Sequence, residues 1–259
     1  MKKKAFGYLG GSVLLAALGY YLRGLEVDAI YPTVDGLTLT GTRETWLMGL
    51  VSAAVVLSAA ALGIIFRHKN RLGNSYREIL GLNSPLLTVL YGLCGLVICA
   101  AVVMSWRMGA YRGILGDLYL VVGCLAGVSV ILRGILGHRQ GSTAVLAIAN
   151  GVVPLFLSLL LVLVYKRSDN NPQLAQFAYD CLAVASLALC AYYAAGFGSN
   201  RNMAGRMLTA SLCAPFFVGA SMADRWSMGE RAVLLGFLVV SLMDLTVYVC
   251  NARPRVRRH

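Results

Sequence analysis

The sequence predicts an all-α integral membrane protein, a polytopic bundle of about eight transmembrane helices in one domain. Two observations predict this class. Of the 259 residues, 58% are hydrophobic and 13% are charged, whereas soluble domains have about 45–50% apolar and about 25% charged residues. The hydrophobic residues also fall in blocks close to the roughly 20 residues that a helix needs to cross a bilayer. A soluble helical domain would need polar positions at helical spacing, and most of these blocks have none.

Eight apolar blocks alternate with short polar segments. We expect each block to be a helix, because only helices and closed barrels satisfy their backbone hydrogen bonds in lipid, and barrel strands would alternate in polarity. No loop is large enough for a catalytic domain, so residues 1–259 are interpreted as a single membrane domain. The predicted spans are residues 5–22, 46–66, 85–106, 113–132, 144–165, 177–197, 207–223 and 232–250.

Basic residues predict the orientation of the bundle. With the N-terminus inside, 15 of the 23 Lys and Arg residues fall on the inner segments, and seven of the 11 acids fall on the outer ones. Cytoplasmic segments carry the excess of Lys and Arg. We therefore expect both termini to be cytoplasmic, with an even number of spans. Compact loops and the lack of glycosylation sequons favour a cell membrane of the bacterial cytoplasmic type.

The first block has one alternative interpretation, a cleaved signal peptide, because three lysines precede an apolar run. No small-x-small cleavage site follows that run. Tyr20, Tyr21 and Arg23 follow instead, and aromatic and basic residues anchor a span at the membrane interface. We expect the first helix to be retained.

Small residues inside the blocks are expected to pack helix against helix. All seven cysteines lie in or beside apolar blocks, without a CxxC motif or a Cys/His cluster, so they are interpreted as small apolar side chains. Glycines four residues apart, among them Gly7/Gly11 and Gly123/Gly127, allow close helix approach. Packing within the chain is favoured over a dimer interface.

Three acids fall within predicted spans, where ionisable groups are costly and are candidates for function. Asp117 and Asp180 lie about one turn from the outer ends of the fourth and sixth spans. There they could form interfacial salt bridges with Arg107 or Arg112, or contact water, which we favour over a ligand site.

Asp244 lies deeper, about 9 Å from the inner end of the last span at 1.5 Å per residue. No basic residue lies one turn away along the same helix, and Tyr248 shares its face at i+4. A carboxylate buried there is expected to be protonated or paired with a group on another helix.

Two prolines add polar groups at a similar depth. Pro154 cannot donate to the carbonyl of Asn150, and Pro215 cannot donate to the carbonyl of Ser211. Transporters bind ions and substrates at such interrupted helices, although each proline could also be a simple kink. The candidate intramembrane polar site therefore consists of Asp244, Asn150, Ser211 and Tyr248.

No motif identifies a reaction, a metal or a cofactor. His68, His138 and His259 lie in inner loops or the tail, which disfavours metalloprotease and serine-hydrolase chemistry inside the membrane. A P-loop and a dinucleotide fingerprint are absent from the sequence. The sequence is more typical of a non-enzyme, and we expect neither a catalytic residue nor a cofactor.

The predicted partners are the lipid bilayer and an unidentified protein. The net charge of +12 is explained by topology, so a nucleic-acid partner is not expected. The basic tail from Arg253 to Arg258 anchors the last helix and could bind anionic lipid headgroups.

Three functions stay open on the sequence. The first is a small transporter or permease-like protein that uses Asp244 and the interrupted helices. The second is a non-catalytic subunit, scaffold or sensor that acts through a partner. The third is a lipid-modifying membrane enzyme built on Asp117 and Asp180. We rank them in this order, with the first two nearly equal.

Overall fold

The computed structural model describes residues 2–30, 43–71, 76–82, 84–139, 143–169, 174–197, 203–224 and 226–254. These ranges hold nine helices and two strands of two residues each. The elements are α1 (Lys2–Ile30), α2 (Arg43–Lys69), β1 (Asn70–Arg71), α3 (Tyr76–Leu80), α4 (Pro85–Arg107), α5 (Ile114–Arg139), α6 (Thr143–Asp169), α7 (Leu174–Gly196), α8 (Ala204–Ser221), α9 (Met228–Asn251) and β2 (Arg253–Pro254).

Seven of the helices in the described ranges are long and apolar enough to cross a membrane, namely α1, α2, α4, α5, α6, α7 and α9. Their outward side chains are large and apolar, with Leu14, Trp46, Leu57 and Ile114 all exposed. A soluble protein does not expose contiguous apolar surface on this scale. The prediction of a multi-pass helical membrane protein in contact with lipid is therefore confirmed, and the count of eight spans stays a prediction.

Both described ends of the chain lie at one face of the bundle, called the terminal face below. There β1 pairs antiparallel with β2, so the end of α2 meets the end of α9. The Asn251 side chain donates to the carbonyls of Ile79 and Gly81, which ties α3 to the end of α9. This agrees with the predicted side shared by the termini, while their cytoplasmic location stays a prediction. Residues 255–259 of the basic tail lie outside the described residues.

The predicted seventh span, residues 207–223, falls on α8, which is the centre of one half of the bundle. Helices α1, α2 and α7 pack around it, and all its residues from 211 to 221 are buried. Two glycines allow the contact with α1, because a Cβ at Gly19 would lie 2.2 Å from the Phe216 carbonyl oxygen and one at Gly219 would lie 2.1 Å from that of Ala16. Helix α8 has 18 residues and is shorter than the seven candidate spans, as a helix enclosed by other helices can be.

The other half of the bundle contains α4, α5 and α9. A Cβ at Gly127 would lie 2.8 Å from the Gly95 carbonyl oxygen, so α4 and α5 approach closely at these two glycines. The close approach predicted for Gly123/Gly127 is thus confirmed. It is wrong for Gly7/Gly11, because a Cβ at either position would meet nothing within 4 Å among the described residues.

Two details of the loops follow local rules. Helix α4 begins at Pro85 as predicted, since proline is pre-organised for a first helical position. Helix α9 begins with a capping box, in which the Ser227 hydroxyl accepts from the Glu230 amide and the Glu230 carboxylate accepts from the Ser227 amide. The cap fixes where the chain enters α9, the helix that carries Asp244.

Candidate functional site

Asp244 is part of a buried cluster assembled from three helices. Tyr91 lies six residues from the start of α4, Arg133 six residues from the end of α5, and Asp244 seven residues from the end of α9. At 1.5 Å per residue, all three lie about 9–10 Å from the terminal-face ends of their helices. Equal depth on neighbouring helices brings the three side chains together.

The cluster is a hydrogen-bonded ion pair closed by an aromatic ring. A guanidinium nitrogen of Arg133 lies 2.6 Å from Oδ1 of Asp244, and the Tyr91 hydroxyl donates to the same oxygen. The guanidinium carbon lies 5.6 Å from the centre of the Tyr91 ring, a cation–π distance. Only 1% of Tyr91, 7% of Arg133 and 4% of Asp244 is exposed. The pair is withdrawn from solvent and from lipid.

The sequence did not identify Arg133 as the partner. The predicted fourth span ends at residue 132, which placed Arg133 in an inner loop, whereas α5 continues to Arg139. The apolar residues Ile135 and Leu136 after Arg133 were the available signal that the helix goes on. The expectation that Asp244 pairs with a group on another helix is met by this arginine.

Tyr248, another residue of the predicted polar site, packs away from the Arg133–Asp244 pair. The Tyr248 ring is fully buried between Phe66 and Phe197, with ring centres 5.3 Å and 6.2 Å away. Its hydroxyl has no hydrogen-bond partner within the described residues. Tyr248 therefore faces the half of the bundle opposite Arg133.

Ser211 comes together with two residues that were not predicted. The Cys190 thiol of α7 lies beside the hydroxyls of Ser211 on α8 and Ser241 on α9. Neither hydroxyl has a hydrogen bond to an oxygen or nitrogen in the described part of the chain. These small polar groups line the contact between α9 and the α7–α8 pair. Ser241 lies one helical turn from Asp244 on α9.

Asn150 stands apart from Asp244 in the packing. It is buried on α6, a helix that packs mainly on α5 and α7. Its side-chain amide nitrogen has no hydrogen-bond partner among the described residues. Pro154 lies inside α6 as predicted, so one turn of this helix combines a free amide with a missing backbone donor.

A second charged cluster is buried at the opposite face, around Arg23 of α1. Its guanidinium lies 2.7 Å from Glu26 and 3.0 Å from Asp224, and it stacks on the ring of Tyr179. Arg23 is only 1% exposed. The sequence indicated Arg23 as an interface anchor, whereas its side chain points into the bundle.

The predicted outer-face acid Asp180 belongs to this second cluster. Its Oδ1 accepts a hydrogen bond from Ser221 and another from the Trp226 indole, each at 2.7 Å. The Asp224 carboxyl lies within hydrogen-bond reach of Asp180. Three carboxyl groups therefore surround one arginine, and burial raises the pKa of Asp224 even though Arg23 opposes the shift.

Asp117, the other predicted outer-face acid, has a different setting. It is exposed in the first turn of α5 and accepts a hydrogen bond from the Trp106 indole at 3.4 Å. Asp117 and Asp180 belong to separate clusters, with Asp180 buried and Asp117 at the surface. Arg107 and Arg112 are not among the hydrogen-bond partners of these acids in the described ranges, which are Trp106 for Asp117 and Ser221, Trp226 and Asp224 for Asp180. The exposed position of Asp117 fits the expected contact with water.

Two apolar grooves run along the outside of the bundle. The first, of about 420 Å³, lies between α1 and α2. The second, of about 740 Å³, lies between α6 and α7 and is lined mainly by apolar residues with Ser158 and Tyr192. Neither groove includes Asp244. The described residues do not bring three His, Cys, Asp or Glu side chains together as a metal site would require.

No protein-family model, curated protein or solved structure matches the chain.

Proposed function

We propose that the protein is a small transporter of the permease type, in which the buried Arg133–Asp244 pair is the polar element of the path. The pair itself carries the proposal. Taking two charges out of water costs several kcal/mol per ion, and well-packed hydrophobic residues at the same place are often as stable or more stable. Ionisable side chains inside membrane bundles mark ion and substrate pathways and proton relays.

The surroundings of α9 support this proposal. One side of α9 is held to α4 and α5 by the Arg133–Asp244 pair and the Tyr91 hydroxyl. On its other side, the Ser241 hydroxyl of α9 and the Ser211 hydroxyl of α8 lie beside the Cys190 thiol, and neither bonds to an oxygen or nitrogen of the described residues. A proton or a cationic solute that neutralises Asp244 weakens the hold on α9, and the Ser211 and Ser241 hydroxyls offer new partners. Such differential binding is what shifts a protein between two conformations.

Solute-dependent thermal stability tests the proposal. A ligand that binds only the folded protein raises its stability in proportion to saturation. Purified protein is heated with a panel of inorganic ions, amino acids, sugars and nucleosides, and a hit is then measured for uptake into proteoliposomes. We expect at least one solute to stabilise the wild type and not Asp244→Asn. The exposed acid variant Asp117→Asn is the matched control and should keep the response.

Two results would contradict transport. One is a panel without any stabilising solute, and the other is a hit that Asp244→Asn binds as well as the wild type. For an individual solute that stabilises the protein, equal uptake into liposomes with and without protein would also contradict transport.

A second candidate function is that of a non-catalytic subunit acting through a membrane partner. The α6–α7 groove favours it, because an open apolar cleft of about 740 Å³ along two lipid-facing helices could accept an apolar helix. Mild-detergent purification from the native membrane would then recover a stoichiometric second protein. A Leu155→Trp substitution, at a residue that lines this groove, should release that protein without unfolding the chain.

A further inference from the structure

The α1–α2 groove is an apolar cavity on the lipid-facing surface of the described helices. Its sides are Gly7, Gly11 and Leu14 of α1 with Ala59 and Leu62 of α2, and Leu212 of α8 closes it at the back. The cavity of about 420 Å³ falls within the range of ligand sites, roughly 300–1,000 Å³. Two of the lining residues, Tyr8 and Ser58, carry a hydroxyl. The Ser58 hydroxyl already donates to the Val55 carbonyl at 3.0 Å, and the other side chains of the lining are apolar.

The two glycines of the groove leave space that the chain does not use. Among the described residues, a Cβ at Gly7 or at Gly11 would meet nothing within 4 Å, whereas the glycines of the α4–α5 contact face atoms within 3 Å. Glycine in a helix interior costs about 1 kcal/mol relative to alanine. No described helix packs on these two glycines to offset that cost, and the space is open to an occupant from the bilayer.

The length of the groove matches one leaflet of the bilayer. On α1 its lining runs from Gly7 to Leu18, which is about 16 Å at 1.5 Å per residue. The hydrocarbon core is about 30 Å thick, so a single leaflet contributes about 15 Å. The groove therefore matches in length an acyl chain of one leaflet.

The terminal-face end of the groove is basic. Helix α1 begins with Lys2, Lys3 and Lys4, and α2 ends with Arg67, His68 and Lys69. The Arg67 side chain is exposed, and Arg206 in the first turn of α8 is exposed beside it, because α8 approaches α2 at Gly63 and Gly205. These turns contain no acidic residue. A basic residue near the surface attracts an anionic lipid with about 1 kcal/mol.

We propose that the α1–α2 groove binds one anionic phospholipid from the leaflet at the terminal face. An acyl chain lies along Gly7 and Gly11, and the phosphate is held by Arg67 of α2 and Arg206 of α8. The groove accommodates the acyl chain. The basic residues at its terminal-face end favour an anionic headgroup over a zwitterionic one. This site is separate from the Arg133–Asp244 cluster and does not depend on the proposed transport function.

Native mass spectrometry of the purified full chain tests the proposal. The protein is exchanged into vesicles or micelles with phosphatidylglycerol or phosphatidylcholine of the same acyl chains. We expect one phosphatidylglycerol per chain to be retained and phosphatidylcholine to be lost. Gly7→Leu combined with Gly11→Leu fills the groove and should abolish retention. Arg67→Gln should weaken it about fivefold, the equivalent of about 1 kcal/mol.

Gly10→Leu is the matched control, because Gly10 is exposed on the same helix, has open space around its Cβ position and does not line the groove. It should retain the lipid. Equal retention of both lipids, or retention in the filled variant, overturns the proposal. A dimer that the filled variant converts to a monomer, without any dependence on lipid, also overturns it and assigns the groove to a second copy of the chain.

Discussion

Arg133 and Asp244 lie at the same depth of the bundle, and their charged groups meet at 2.6 Å although they come from different helices, α5 and α9. Removing one partner leaves the other charge buried and unpaired. We expect Arg133→Met and Asp244→Leu each to lower the free energy of unfolding by about 3–5 kcal/mol. Replacing both, as Arg133→Met with Asp244→Leu, should cost much less or nothing. Thermal unfolding of the four proteins in detergent measures this cycle.

Additive losses in this cycle would contradict the expected coupling of Arg133 and Asp244. If the double variant loses the sum of the two single losses, the side chains are energetically independent, since coupled residues deviate from additivity by about 0.5–3 kcal/mol. The Arg133–Asp244 contact would then not hold α9 to α5.

The Asp224 carboxyl should make stability depend on pH. Its pKa is raised above the ordinary value of 3.8 in the folded protein, first by burial. The folded state therefore binds this proton more tightly than the unfolded state does. The stability gained is complete below pH 3.8 and is lost as pH rises through the raised pKa. We expect the melting temperature of the wild type, relative to Asp224→Asn, to fall with rising pH over that window.

The charged groups that face Asp224 are Arg23 and Glu26 of α1 and Asp180 of α7. Asp28→Asn, at an exposed acid of α1, serves as the control and should leave the pH profile of the wild type unchanged. A pH-independent difference between wild type and Asp224→Asn would show that Asp224 keeps the same protonation state on folding.

Gly19 and Gly219 are predicted to tolerate no side chain. A Cβ at either site would lie about 2 Å from a backbone carbonyl oxygen across the α1–α8 contact, and backbone cannot move aside as a flexible side chain can. We expect Gly19→Ala and Gly219→Ala to lower stability by about 1–3 kcal/mol. Gly24→Ala, on α1 with open space around it, should be neutral or stabilising because alanine favours the helix. A neutral Gly219→Ala would contradict the close approach.

The capping box of α9 gives a smaller prediction. The Ser227 hydroxyl accepts from the Glu230 amide at 3.3 Å, and Glu230 also pairs with Arg167 of α6 at 3.2 Å. Ser227→Ala should lower the free energy of unfolding by about 1 kcal/mol, and Ser227→Asp, which keeps an acceptor, by less. Equal effects of the two substitutions would mean that the hydroxyl does not act as the cap. Chemical denaturation in mixed micelles resolves differences of this size.

The fold class could be predicted from the sequence because a chain in lipid must satisfy its backbone hydrogen bonds internally. Long apolar runs such as Pro85–Arg107 must become helices whatever surrounds them. Pro85 marks a helix start that follows a local rule. The extension of α1 to Ile30 and of α5 to Arg139 was missed, because a helix continues past its apolar segment when buried partners accept its charges.

The partners of buried charges could not be predicted in the same way. Asp244 and Arg133 are 111 positions apart, and no periodicity within one helix relates them. Arg23 reaches Asp224 across 201 positions. Depth was predictable for Asp244, since counting residues gives it, but the rotation of each helix about its axis was not. The contacts of Tyr248 with Phe66 of α2 and with Phe197 could not be predicted either, because they depend on which helices lie next to α9.

The enclosed position of α8 has a consequence for the order in which the protein is made. Helix α1 leaves the ribosome long before α8, yet it is α8 and the turn after it that cover Gly19 and neutralise Arg23. Until about 200 residues have been added, the Arg23 guanidinium has Glu26 within its own helix as a partner, while Asp224 has not been synthesised. Helix α1 therefore lacks its packing partner during most of synthesis. Its final position is fixed only when the C-terminal quarter of the chain has been synthesised and inserted.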